Sequence, residues 1–216
     1  MLTAVFIVGG YLIGSLSFAV LVSALMGLPS PHSYGSGNPG ATNVLRTGSK
    51  TAAALTLIGD AAKGGLALWL AQFIGAAVMA PQAPGEFMLA AVALAAFLGH
   101  VYPVYFRFQG GKGVATAAGI LLVMNAAMGG LILGVWLLVA LTTRYSSLAA
   151  VVAAIAAPFA AAFFYGKSWF TLAVLLMALL LIWRHRGNIA KLRAGNESRI
   201  RLRRNREAGS AANSGQ

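Results

Sequence analysis

The feature that most constrains this chain is the length of its apolar runs. They extend from Leu2 to Leu28, Ala52 to Ala80, Phe87 to Phe106, Val114 to Leu141, Leu148 to Phe164 and Trp169 to Trp183. A helix needs about 20 such residues to cross a ~30 Å hydrocarbon layer, and a water-soluble fold has no use for so many. Only 9% of the residues are charged, against roughly 25% in an ordinary soluble domain. The fold class expected is therefore all-α, an integral membrane, polytopic helical bundle.

The charges fix the expected orientation. No Lys or Arg precedes the first run, so it is read as a retained span with its N-terminus outside. Nine basic residues stand from Arg184 onward, and the positive-inside rule places them in the cytoplasm. An odd number of crossings is needed, while the runs number six. Val114 to Leu141 is the one to split, because 28 residues at ~1.5 Å each make about 42 Å. Asn125, followed shortly by Gly129 and Gly130, supplies the break. Seven transmembrane helices then bring Arg46, Lys50, Arg107, Lys112, Arg144 and the basic tail to the cytoplasmic face, with Lys167 alone dissenting. Residues 1–202 form the single transmembrane domain, and 203–216 read as a disordered basic and polar tail.

Composition removes several chemistries. Without cysteine there is no disulfide, thiolate metal site or cysteine nucleophile. The four acids, Asp60, Glu86, Glu197 and Glu207, are too scattered for a Mg²⁺ or Ca²⁺ cage, so no metal and no cofactor are expected. The basic tail of so oily a chain points to anionic membrane lipids as partners and not to nucleic acid.

Polar residues gather in three segments on one face. The first runs from His32 to Lys50 and contains Gly35, Gly37 and Gly40 at G-x-G-x-x-G spacing. It follows a membrane helix and not a strand, so the dinucleotide reading fails its context. Converging backbone N–H groups, hydroxyls, amides and Arg46 still suit a phosphate, although a plain solvated loop has the same composition. In the second, Gly110, Gly111, Lys112 and Gly113 precede an apolar helix, an arrangement that places an ammonium at a positive helix end. A Walker A loop would need Gly at Phe106 and Ser or Thr at Gly113, so P-loop ATP hydrolysis is excluded. The third runs from Arg184 to Ile200, with His185 and Asn188 three apart and Glu197 expected to pair with an arginine and shape the loop. Inside the bilayer, Asp60 and Lys63 share a helical face and are expected to pair or to line the polar site.

Taken in order, these segments resemble the bacterial membrane glycerol-3-phosphate acyltransferases that use acyl phosphate as donor. The resemblance is carried by Gly35-Ser36-Gly37-Asn38-Pro39-Gly40-Ala41-Thr42-Asn43-Val44-Leu45-Arg46, by Gly99-His100 and Gly110 through Thr116, and by His185 through Asn188 with Gly195-Asn196-Glu197. It covers nearly the whole chain through Ile200, with Gln109 standing where many members carry a basic residue. The resemblance implies transfer of a fatty acyl group from acyl phosphate to the 1-hydroxyl of sn-glycerol 3-phosphate, giving lysophosphatidic acid and phosphate at the inner membrane, with the active site facing the cytoplasm. It implies that Ser36, His185 and Asn188 serve catalysis and that Arg46 and Lys112 hold phosphate. Asn38, Thr42, Asn43, Gly110, Gly111, Gly113 and Ser147 would complete the pocket.

The residues themselves agree in three respects. Two phosphorylated substrates match two glycine-rich basic segments, a lipid substrate matches a site at the membrane surface, and an activated anhydride needs no nucleophilic triad. The His-x₄-Asp device of soluble acyltransferases is absent, since Gly37, Tyr105 and Ala190 stand five positions after the histidines. An organic-phosphate transporter remains the alternative, but would want polar groups spread through the bilayer depth. Oligomeric state stays open, because Gly- and Ala-rich spans suit a compact monomer or a dimer contact.

Overall fold

A computed structural model describes residues 1–81 and 83–200. The expected tail, 203–216, and the last two residues of the expected domain lie outside the described residues. Every regular element among them is helical: α1 (Leu2–Gly14), α2 (Phe18–Leu25), α3 (Ala41–Val44), α4 (Lys50–Val78), α5 (Glu86–Val101), α6 (Val114–Met124), α7 (Ala126–Thr143), α8 (Ser146–Tyr165), α9 (Trp169–Arg184) and α10 (Arg186–Arg193). Helices α4, α7 and α8, and α5 with the residues that continue it to Phe106, are each long and apolar enough to cross a membrane, and the bent pairs α1–α2 and α9–α10 bring the number to as many as six. Helix α6, with 11 residues, is a shorter apolar helix.

The run from Val114 to Leu141 divides at Asn125, as its length requires. Asn125 is extended, with φ −159°, and its Oδ1 accepts the Met128 N–H at 3.0 Å, starting α7. Helix α7 then folds back on α6 so closely that a Cβ on Gly129 would stand 2.5 Å from the Leu122 backbone nitrogen. Ser49 and Ser168 cap α4 and α9 in the same way, accepting the N–H groups of Ala52 and Thr171.

The first run carries a feature not expected from the sequence: it is two helices bent by 43° at Ser15–Ser17, apolar enough together for one broken span. Gly14 lies against the backbone of Ala96, where no side chain fits. The interrupted helix leaves the Leu16 carbonyl free, and the Lys63 ammonium donates to it from α4. Such a bond removes the cost of an unpaired carbonyl in an apolar surrounding.

Small residues set the packing. Gly64 meets Thr116, Gly119 meets the Ala61 backbone, and Ala93, Ala96, Ala150 and Ala161 are buried around Phe97, Leu68, Ile120 and Met128. The outward surface is apolar, with Phe73, Leu138, Phe159 and Phe163 exposed, as lipid contact favours. At one end of the bundle the Glu86 carboxylate accepts the Phe170 N–H at 3.1 Å, and the Tyr165 hydroxyl donates to the Met124 carbonyl at 2.7 Å. The long polar segments lie at the other end.

Candidate functional site

Helix α10 turns 54° away from α9 at His185 and has no buried residue, which suits a basic helix lying along a membrane surface and not crossing it. The chain then doubles back. Ile200 donates its N–H to the Arg144 carbonyl at 2.7 Å, and Arg199 Nε donates to the Tyr145 hydroxyl at 3.1 Å. This return lays 195–200 across the start of α8 and brings the third segment against the first two.

The centre of the site is a chain of polar side chains. The Lys112 ammonium donates to Asn188 Oδ1. Asn188 Nδ2 donates to Glu197 Oε1 at 2.7 Å, and the buried Ser147 hydroxyl donates to the same oxygen at 2.7 Å. Among the described residues Glu197 pairs with no arginine, where the sequence led to the expectation of one. Arg199 is spent on Tyr145, and the carboxylate oxygen is filled by two neutral donors. Burial lowers the Lys112 ammonium from its ordinary value; the Glu197 carboxylate opposes that shift, while Arg184, Lys191 and Arg46 add to it.

His185, at the bend that ends α9, is 3% exposed. Its Nδ1 lies 2.8 Å from the Leu181 carbonyl, an atom that can only accept, so the proton sits on Nδ1 and Nε2 keeps its lone pair. Burial pushes its pKa down to about 4, the Leu181 bond opposing, so the ring is neutral at neutral pH. His185 stands at the bend itself, its carbonyl accepting the Ile189 N–H at 2.9 Å, and Asn188 follows in the first turn of α10.

The first segment forms a loop organised from inside. Asn43 is buried, accepts the Ser36 N–H at 3.0 Å and donates to the carbonyls of Pro31 at 2.8 Å and Tyr34 at 3.2 Å. The whole amide is spent on the loop's own backbone. Gly35, in the left-handed region with φ +61°, lets Asn43 and the Arg46 stem close over it. This leaves Ser36 exposed beside the exposed Arg46, whose Nη2 donates to Ser198 Oγ at 3.0 Å. Asn38 is half-buried, and Thr42 faces outward.

In the second segment the glycines serve close packing. The Gly111 N–H donates to the His100 carbonyl at 3.1 Å, and a side chain on Gly111 would enter the His100 ring. Gly113 (φ +88°) sits on the Phe97 ring, and Gly110 offers its carbonyl to Arg184 Nη2 at 2.9 Å. Arg184 and His100 escaped the sequence reading as site residues, although His100 lies within a quoted motif and Arg184 adjoins one. Asp60 and Lys63 do pair, at 2.9 Å, both 3% exposed, and His100 Nδ1 stands 3.6 Å from the same carboxylate oxygen.

Comparison with known proteins agrees over nearly the whole length. Residues 4–195 match the family model described as glycerol-3-phosphate acyltransferase. The glycerol-3-phosphate acyltransferase of Ralstonia pickettii is 60% identical over 199 residues, covering 92% of this chain and 94% of the relative. That of Cupriavidus necator is 62% identical over 200 residues, covering 93% and 97%. Among solved structures, the glycerol 3-phosphate form of PlsY (YgiH), an integral membrane glycerol 3-phosphate acyltransferase, superposes with a TM-score of 0.84 at 33% identity, covering 93% of this chain and 96% of that one. Its lysophosphatidic acid form gives 0.81 at 34% identity, with the same coverage.

Proposed function

The chain belongs to the glycerol-3-phosphate acyltransferase family and is an enzyme of that class, and from that premise we propose that its acyl donor is acyl phosphate and that transfer is direct, with no covalent acyl-enzyme. The observation that carries this reading is the convergence of Lys112, Asn188, Ser147, Arg46 and the neutral His185 at one end of the bundle, in a chain without cysteine.

The 1-hydroxyl oxygen of glycerol 3-phosphate attacks the acyl carbonyl carbon. A C–O bond forms as the bond from that carbon to the phosphate oxygen breaks, and phosphate leaves with the electron pair. Lys112 and Arg46 face the two phosphates, with Ser36, Asn38 and Thr42 beside them, while Asn188 fixes the ammonium and is itself held by Glu197, which Ser147 braces. Their contribution is placement and neutralisation of the departing charge. Asn43 acts from within, holding the loop that presents Ser36 and Arg46. The hydroxyl proton passes to His185 Nε2 or to a substrate phosphate oxygen. A His185→Asn variant that retains most of its turnover assigns the proton to the phosphate, and one that loses it assigns the proton to the histidine.

The same premise supports seven crossings, with α1–α2 as the first and α6 and α7 as separate ones, the N-terminus outside and the site on the cytoplasmic face of the bacterial inner membrane. The basic residues Arg46, Lys112, Arg144 and Arg184 contact one another's segments at a single end, as the positive-inside rule requires. Lys167 lies at the opposite end, in a shallow hollow it shares with Glu86.

The deciding experiment supplies purified protein with labelled glycerol 3-phosphate and, separately, acyl phosphate, acyl-coenzyme A or acyl carrier protein. Lysophosphatidate is expected with acyl phosphate alone. Product formed only from a thioester donor would overturn the assignment.

A further inference from the structure

The Asp60–Lys63–His100 cluster is the one group of buried ionisable side chains among the described residues that the proposed reaction leaves unused. We infer that His100 is a positioning residue for the loop that carries Lys112, and that Asp60 and Lys63 hold it in place. Three observations support this. First, the loop rests on His100: Gly111 donates its N–H to the His100 carbonyl at 3.1 Å, a side chain on Gly111 would enter the imidazole, and one on Gly110 would meet the carbonyls of His100 and Val101. Second, the ring lies between the loop and the ion pair: its buried Nδ1, with no hydrogen-bond partner among the described residues, faces Asp60 Oδ1 at 3.6 Å, and Lys63 pairs with that same oxygen at 2.9 Å. Third, the cluster is tied to α6, which follows the loop, and to the break between α1 and α2. The Thr116 hydroxyl, in the first turn of α6, donates to the Asp60 carbonyl at 2.9 Å, and Lys63 donates to the Leu16 carbonyl at the break before α2.

The segment that bears Lys112 is therefore held beside Asp60 at both ends, at one by packing against the His100 ring that faces the carboxylate and at the other by the Thr116 hydroxyl on the Asp60 carbonyl. A loop of glycines has many accessible conformations. The cluster selects the one in which the ammonium meets Asn188.

The inference rests on the assignment of Lys112 to the substrate site, so its test has one arm that needs no activity. The chain lacks cysteine, and the exposed Gln109 can carry a single nitroxide label after Gln109→Cys, with Lys167→Cys, exposed at the opposite end, as the control. In His100→Ala and in the isosteric Asp60→Asn, the spectrum at position 109 should shift toward a mobile line shape while that at 167 stays unchanged. In the second arm, each substitution is combined with Lys112→Ala. Either one alone should lower kcat/KM by roughly tenfold or more, and by less than about threefold in the Lys112→Ala background, as expected when one residue acts through another.

An unchanged spectrum at position 109, or losses that multiply, would overturn the inference. So would loss of the folded protein in both variants, because the cluster would then hold the bundle and not the loop. A mobile label at 109 together with a fully active Lys112→Ala would leave the positioning role standing and remove Lys112 from the site.

Discussion

The two ends of the bundle are built from the same apolar helices but are finished differently. At one end the connections are short, and the polar contacts are single: Glu86 holds the Phe170 N–H, and Tyr165 holds the Met124 carbonyl. At the other end three long segments interlock, so that Lys112, Asn188, Glu197 and Ser147 form one chain and Arg46 reaches Ser198. The difference is one of connectivity. Side chains far apart in sequence meet only where the chain returns repeatedly to one face, and the break at Asn125 adds the extra pass that this requires.

Substitutions at the two ends should therefore differ sharply. The largest effect is expected for Lys112→Ala, with kcat/KM for glycerol 3-phosphate down by roughly a hundredfold and KM raised, since the substitution removes the charge-assisted phosphate contact proposed for this ammonium in a partly desolvated site. Steady-state kinetics in detergent or nanodiscs checks this. Next is Asn188→Ala, expected to cost about tenfold in kcat/KM because the ammonium loses its brace but not its charge. Glu197→Gln should act through pH. The carboxylate raises the Lys112 value that burial lowers. Removing the charge lowers that value further, and the basic limb of the kcat/KM profile should move to lower pH. A limb that stays in place would break the link between the two residues.

His185 supplies a stability test. Its native value, about 4, lies below the ordinary 6.5, so below pH 6.5 the unfolded state takes up a proton that the folded state does not. The contribution of the buried neutral ring is full above pH 6.5 and falls as pH drops toward 4. Thermal melting at pH 7 and pH 5 should show a loss that His185→Gln diminishes. The smallest effect belongs to the opposite end. Glu86→Ala should leave kcat/KM within about twofold of the parent, since a single exposed hydrogen bond contributes only about 0.5–1.5 kcal/mol.

Much of this contrast was legible in the sequence, and the exceptions share a cause. The split at Asn125 followed from a run too long for one crossing, with a capping residue in its middle. The Asp60–Lys63 pair followed from helical spacing and the cost of lone charges in lipid. The break at Ser15–Ser17 left no comparable sign, because Gly14 is demanded by the backbone of Ala96 on a distant helix and the freed carbonyl is satisfied from α4. Glu197 stands among arginines in the sequence, yet meets Ser147 and Asn188 once the chain folds back. The family resemblance puts Asn43 in the pocket, yet its amide serves the loop backbone, and composition does not distinguish that use from a contact with phosphate. His100 and Arg184 act through contacts with Gly111 and Gly110 that only the tertiary fold creates.

The central claim, one-step transfer at the polar end, is tested most directly by isotope exchange. Purified protein is incubated with acyl phosphate and labelled inorganic phosphate, with glycerol 3-phosphate left out. Direct attack predicts no label in acyl phosphate, because the donor bond breaks only when the acceptor hydroxyl attacks. Label appearing in acyl phosphate without the acceptor would reveal a covalent acyl-enzyme and contradict the mechanism.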